Sequence, residues 1–229
     1  MNALQSFLFV APVLVFSVIA HEIAHGYAAL KQGDPTAQKA GRLTWNPLKH
    51  ISPFLTILLP LAMYQTMGVA LGGAKPVPVD PRNYRNYRRG DIIVSLAGVA
   101  TNFVLAFVCA AVVVLLGYLV RVAPATEAGV GFFQAMLVLG VQLNLALMAF
   151  NLLPIPPLDG SHVVKYLLPW SWSFHYQRLG FLGIIVLIVV VKFVPGVLDA
   201  WFAPANALFV RIYFVLRRLL TPSFFEWMR

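Results

Sequence analysis

Apolar runs separated by short basic or Gly/Pro-rich stretches set the plan of this chain. Residues near 5–30 form the first apolar run. A polar stretch from Lys31 to Lys49 follows, with four basic residues and the turn Gly33-Asp34-Pro35. Ile51 to Val69 is again apolar, but Pro53 and Pro60 interrupt it. Gly72 to Val79 holds too much Gly and Pro for a helix and reads as an extended strand or sheet edge. Arg82, Arg85, Arg88 and Arg89 come next. Ile92 to Val120 is a long span, and Phe132 to Leu153 is another that ends at Pro154, Pro156 and Pro157. Leu179 to Val194 and Leu198 to Leu216 make a last pair. No repeat or low-complexity tract is visible. The pattern predicts an all-α polytopic membrane protein with about five transmembrane helices, a re-entrant segment and a short membrane-associated extended or β region.

Composition fixes the class. Of 229 residues, 60% are hydrophobic and 11% charged, and the mean hydropathy is +0.79, far from a soluble domain. The formal charge of +9 raises nucleic acid as a partner. The basic residues, however, cluster beside apolar runs, where anionic lipid and the positive-inside rule account for them, so nucleic acid is excluded. The single cysteine, Cys109, lies mid-span and leaves the redox compartment open. Val18-Ile19-Ala20 resembles a signal-peptide cleavage site, but Met1 to Gln5 carries no Lys or Arg, and cleavage there would discard the helix before His21.

Ionisable groups inside the apolar runs carry the chemistry. His21 and His25 are four apart, so on a helix they lie one turn apart on one face and can reach one metal ion. Glu22, between them, supplies the carboxylate a metal-dependent hydrolase needs to activate water. A second constellation, Asn144, Asn151 and Asp159, lies on and beyond the 132–153 span. Prolines must break that span, and broken backbone at membrane depth must line a cavity or be buried in protein. Asp159 is either a cap for the helix starting near Ser161 or His162, or a third ligand. With HEIAH present the ligand reading is preferred, because two His and one carboxylate leave zinc an open position for water. Ser95 to Asn102 presents small residues for close helix packing. Asn102 then either ties two spans together or donates to a substrate carbonyl or oxyanion.

HEIAH in one span, Ser95 to Asn102 opening a later one, and Asn151 to Gly160 closing the next resemble the site-2 protease family of intramembrane zinc metalloproteases. Asn46 to Ile51 and Gly73 to Val79 resemble its compact bacterial and archaeal branch, without PDZ or CBS domains. The likeness covers about residues 10–170. It implies that His21, His25 and Asp159 bind one Zn2+, that Glu22 is the catalytic base, and that Asn102 and Asn151 line the site and assist the substrate or oxyanion. Val99 departs from the family, which usually has Pro after that Gly. Residues 1–229 then form a single membrane-embedded protease domain, with a catalytic core over about 5–170 and a C-terminal helix pair over about 179–218.

The expected activity is hydrolysis of peptide bonds in transmembrane substrates. Glu22 takes a proton from the attacking water and returns it to the leaving amine. A substrate helix must unwind first, and Gly73 to Val79 could pair with it by β-addition. His50 and His175 are assigned surface roles, and His162 stands outside the site, three residues after Asp159. Two rivals are a membrane zinc transporter and a catalytically silent homologue that binds membrane clients. Converging polar groups argue against the first and Glu22 against the second. The expected partners are transmembrane substrates and lipid, and the expected location is a prokaryotic cell (inner) membrane.

Parity predicts the topology. His25 and Asp159 must lie at one membrane side, which requires Ile51 to Val69 to enter and leave on the same side. Basic residues flank that stretch both before and after, which places both loops in the cytoplasm. The N-terminus is then external, and Arg217 and Arg218 mark a cytoplasmic C-terminus. Single cysteines at Lys39 and Arg85, in a Cys109→Ser background, should both resist an impermeant thiol reagent applied outside. Labelling of one alone would show a true crossing.

Overall fold

Backbone N–H and C=O groups in hydrocarbon must be satisfied within their own segment, so apolar runs of this length fold as helices. The computed structural model describes residues 3–52, 73–180, 182–194 and 196–228. Its helices are α1 (Ala3–Gln32), α2 (Thr36–Lys39), α3 (Tyr87–Val122), α4 (Glu127–Asn151), α5 (Asp159–Val164), α6 (Trp170–Arg178), α7 (Leu182–Phe193), α8 (Val197–Leu216) and α9 (Pro222–Trp227). The chain is an all-α integral membrane protein. Phe9–Gln32, Tyr87–Val122 and Pro124–Asn151 are each long and apolar enough to cross a bilayer. A pair bent by 89°, Trp170–Arg178 with Leu182–Val190, would make a fourth span. α7 has 12 residues, about 18 Å, and does not cross unaided. α8 carries Asp199, Pro204 and Arg211 and is not among the long apolar helices. The expected re-entrant stretch from Ile51 lies almost wholly outside the described residues. Gly73 to Val79 is neither helix nor paired strand.

α3 packs against both α1 and α4. Phe9, Val113, Ala135, Val138, Leu216 and Phe224 bury one core where α8 and α9 close the bundle. Ala106, Val141, Leu145, Ala149 and Ala205 form a second along α3, α4 and α8. Polar side chains are buried with them, Gln134 and Asn102 among the most fully enclosed. Gln134 Nε2 donates to the Leu219 carbonyl (2.9 Å), and its Oε1 accepts the Thr221 N–H (3.0 Å), which docks α9. Apolar side chains such as Val104, Phe107 and Leu115 point outward from α3. Polar groups paired inside and aliphatic groups outside are what a lipid solvent selects.

The end of α1 fixes the loops around the site. Gly33, at φ 111°, closes the helix, with its N–H on the Leu30 carbonyl and the Asp34 N–H on Ala29, a Schellman pattern. Asp34 is fully buried and accepts from the Thr36 N–H and hydroxyl, the Asp80 N–H (2.7 Å) and Asn83 Nδ2 (2.9 Å). These bonds bring residues 80–83 onto the end of α1. Residues before them are held too: the Lys75 N–H donates to the His50 carbonyl (2.7 Å) and Arg42 to the Lys75 carbonyl (2.7 Å). His50 is therefore no surface residue. It is 2% exposed, with Nε2 on the Thr44 carbonyl, because its loop folds under 73–80.

Burial raises the Asp34 carboxyl, but its donors outweigh burial and hold it below the usual carboxylate range. Its stabilisation should be complete above about pH 4 and lost as pH falls further. Asp34→Asn turns an amide donor toward other donors. It should cost about 1–3 kcal/mol at neutral pH, read as a lower denaturation midpoint in detergent. The difference from wild type should shrink in acid.

Candidate metal centre

α1 delivers two imidazoles to one point, as their spacing requires. The His21 and His25 ring centroids are 4.6 Å apart and the Nε2 atoms 3.0 Å apart. α5 delivers the third group. Leu158 occupies the N-cap position without a side-chain cap, so Asp159 opens the helix and does not cap it. Its Oδ2 lies 3.2 Å from His21 Nε2 and 3.4 Å from His25 Nε2. His21, His25 and Asp159 are the one three-residue group among the described residues that could hold a metal ion. Gly160 is required beside Asp159, since a Cβ there would stand 2.2 Å from the Leu152 carbonyl oxygen.

Partners on the far side of each ring settle the tautomers. His25 Nδ1 faces the Val94 carbonyl at 2.7 Å, which can only accept, so Nδ1 carries the proton. His21 Nδ1 faces Asn102 Oδ1 at 2.6 Å. That amide's orientation is fixed through Asn144, whose Nδ2 donates to the Gly140 carbonyl and to Ser17 Oγ, both at 2.9 Å. Asn144 Oδ1 must then accept from Asn102 Nδ2 (2.9 Å), which leaves Asn102 Oδ1 to accept from His21. Both Nε2 atoms therefore present lone pairs to each other and to Asp159 Oδ2, a buried oxygen that no donor reaches. A proton on one nitrogen would relieve one contact. A dication taking two imidazoles and a carboxylate relieves all three, and that donor set fits zinc with a position left open.

α3 lies behind this group as a template. Val94 and Asn102 orient the two rings, and Gly98 lets them approach. A Cβ at Gly98 would stand 2.5 Å from His25 Nε2 and from His21 Cε1. Asn102 is fully buried with both ends of its amide engaged, so it positions His21, and its donor is not turned to a substrate. Asn151 stays apart from this network, its Nδ2 donating to Leu147 in its own helix at 3.0 Å. Glu22 Oε2 accepts the Val77 N–H (2.7 Å), which sets residues 73–80 beside the histidines. His175 is bound to the Ser171 carbonyl of its own helix. Sequence reasoning missed Ser17, the use of Asn144 to orient Asn102, and the buried pair Asp91 and Lys165. Only the small residues of Ser95 to Asn102, read as a close-packing surface, hinted at the α3 template.

The model of peptidase family M50 matches residues 9–192. YwhC of Bacillus subtilis (strain 168), a zinc metalloprotease by name, is 40% identical over 177 residues, covering 77% of this chain and 76% of YwhC. Rip2 of Mycolicibacterium smegmatis, also a zinc metalloprotease by name, is 34% identical over 199 residues, covering 86% of this chain and 70% of Rip2. Rip2 of Mycobacterium tuberculosis (H37Rv) is 30% identical over 197 residues, with the same coverage. No solved structure matches the chain.

Gly98→Ala should abolish zinc retention while the helical fold persists, because the added methyl occupies the space of both rings. Gly129→Ala on α4 meets no atom within 4 Å and should keep its zinc. Metal analysis of the two purified proteins checks the pair.

Proposed function

Because the chain belongs to peptidase family M50, the site-2 protease family of membrane zinc metalloproteases, we propose that it hydrolyses peptide bonds of transmembrane substrates within the bilayer. The observation that carries this reading is the convergence of three acceptors, His21 and His25 from α1 and Asp159 from α5, with the Glu22 carboxylate next to His21 on α1. These three residues would hold the zinc. Bound zinc supplies Lewis acidity, drawing the pKa of a water toward about 7 and polarising the scissile carbonyl.

Glu22 is the proton carrier: it accepts from the attacking water and returns the proton to the leaving amine. Asn102 keeps the His21 ring in the tautomer that offers Nε2 to the metal, and the Val94 carbonyl does the same for His25. The substrate must present an unwound segment, because a helix keeps its carbonyls in its own hydrogen bonds. Residues 73–79, beside the histidines through Glu22 and Val77, are the segment that would receive it. The Lys75 and Val77 N–H groups are already bonded to the chain, and Pro76 and Pro78 have no N–H. Along Pro76 to Pro78 the segment offers a substrate strand only carbonyl acceptors, so the substrate's own carbonyls are left for the site. The enzyme resides in the cell membrane with its basic loops on the cytoplasmic side.

Glu22→Gln should eliminate cleavage yet keep about one zinc per chain, since Glu22 is not a ligand. His21→Ala, His25→Ala and Asp159→Ala should each lose zinc. Purified proteins reconstituted in liposomes with a transmembrane peptide, assayed in parallel for metal content and cleavage, test this. Full zinc together with full activity in Asp159→Ala would remove it from the ligand set.

A further inference from the structure

Two of the three metal-site residues sit on the long helix α1, but Asp159 sits on a helix that cannot place itself. α5 has six residues, about 9 Å, too short to persist without tertiary support. Ahead of it, Pro154, Pro156 and Pro157 interrupt regular hydrogen bonding. Its local bonds, such as Ser161 Oγ to the Leu158 carbonyl, shape the turn but do not fix it relative to α1.

The hydrogen bonds and ion pairs that tie this segment to α3 converge on one side chain. Asp91, near the start of α3, is 3% exposed. Its Oδ1 meets His162 Nδ1 at 3.2 Å, and its Oδ2 meets Lys165 Nζ at 2.5 Å and accepts from the Tyr166 hydroxyl at 3.0 Å. Lys165 is buried as well. Among the described residues, every hydrogen bond or ion pair from residues 159–166 to α3 ends on this carboxylate. Asp159, His162 and Tyr166 follow the i, i+3, i+7 spacing of one helical face. On α3, Asp91, Val94, Gly98 and Asn102 form a similar stripe, whose other members already set the two histidines.

We propose that Asp91 is the positioning residue for Asp159, clamping α5 to the helix that orients His21 and His25 so that the third donor reaches the metal. The clamp joins one buried acceptor to three donors, His162 within α5 and Lys165 and Tyr166 in the turn just past its end, so it holds α5 at two levels. It rests on Asp159 being a zinc ligand, as argued above.

Zinc affinity of the purified full chain in detergent, measured by chelator competition, tests the clamp. Asp91→Asn should weaken zinc binding by about 10–100-fold, the usual cost of losing a partner that orients a ligand. Tyr166→Phe, which removes one hydroxyl and leaves the ion pair, should weaken it by a few-fold. Neither change should add to Asp159→Asn, because a residue acting through Asp159 has no effect once that carboxylate is gone. A merely structural role would instead lower affinity further in the double variants. Gln134→Ala, which loosens the docking of α9, should reduce stability and leave zinc affinity unchanged. Wild-type affinity in both Asp91→Asn and Tyr166→Phe, or full additivity with Asp159→Asn, overturns the clamp. Wild-type affinity in Asp159→Asn itself overturns the ligand reading beneath it. Should Asp91→Asn fail to fold, the Tyr166→Phe and Asp159→Asn cycle decides the matter alone.

Discussion

Two imidazole lone pairs and a carboxylate oxygen cannot face one another at about 3 Å in a low-dielectric interior without positive charge among them. The surrounding structure answers to that constraint. Each imidazole is turned by an acceptor on its far nitrogen, so neither ring can relieve the crowding by flipping its proton inward. The acceptor for His21 is itself held by a chain of amides that ends on the Gly140 carbonyl, a group that can only accept. A side-chain network is high-stakes in such surroundings, since one unpaired member costs more than the network gains.

The bundle can carry this because its solvent is reversed. α3 exposes Val104, Phe107 and Leu115 while burying Asp91, Ser95, Gly98 and Asn102 on the opposite stripe. In water that pattern would aggregate; in lipid it lets polar residues define the interior and aliphatic ones meet acyl chains. The same logic puts Gln134 at the other end of the bundle, where it supplies three backbone and hydroxyl partners around α9.

Much of the site was legible because its chemistry is written in short, contiguous strings. HEIAH encodes its geometry through helical spacing, and the prolines before Asp159 announce a break that needs a reason. The three principal helices matched their apolar runs closely. Other features were hidden because they depend on partners far along the chain. Asn144 was grouped with Asn151 and Asp159 near the end of its own span, yet it orients Asn102 across 42 positions. Asp91 and Lys165 went unread because nothing in the sequence near either one points to the other, which folding alone brings to it. His50 appeared superficial because no local pattern says that residues 73–80 fold over it. Asn102 displayed its capacity to donate but not the neighbour that takes up that donor.

The histidines and the aspartate lie on segments made far apart in time. α1 leaves the ribosome with both imidazoles in place, and chains organise from the N-terminus as they are synthesised. At that stage the helix holds two neutral nitrogens and no carboxylate from α5, a weak and incomplete cradle for a metal. The donor set closes only after α3 and α4 have been laid down and residue 159 has followed them. With the proposed ligand set, metal loading is thereby tied to completion of the bundle, and a chain stalled partway through insertion holds no complete metal site.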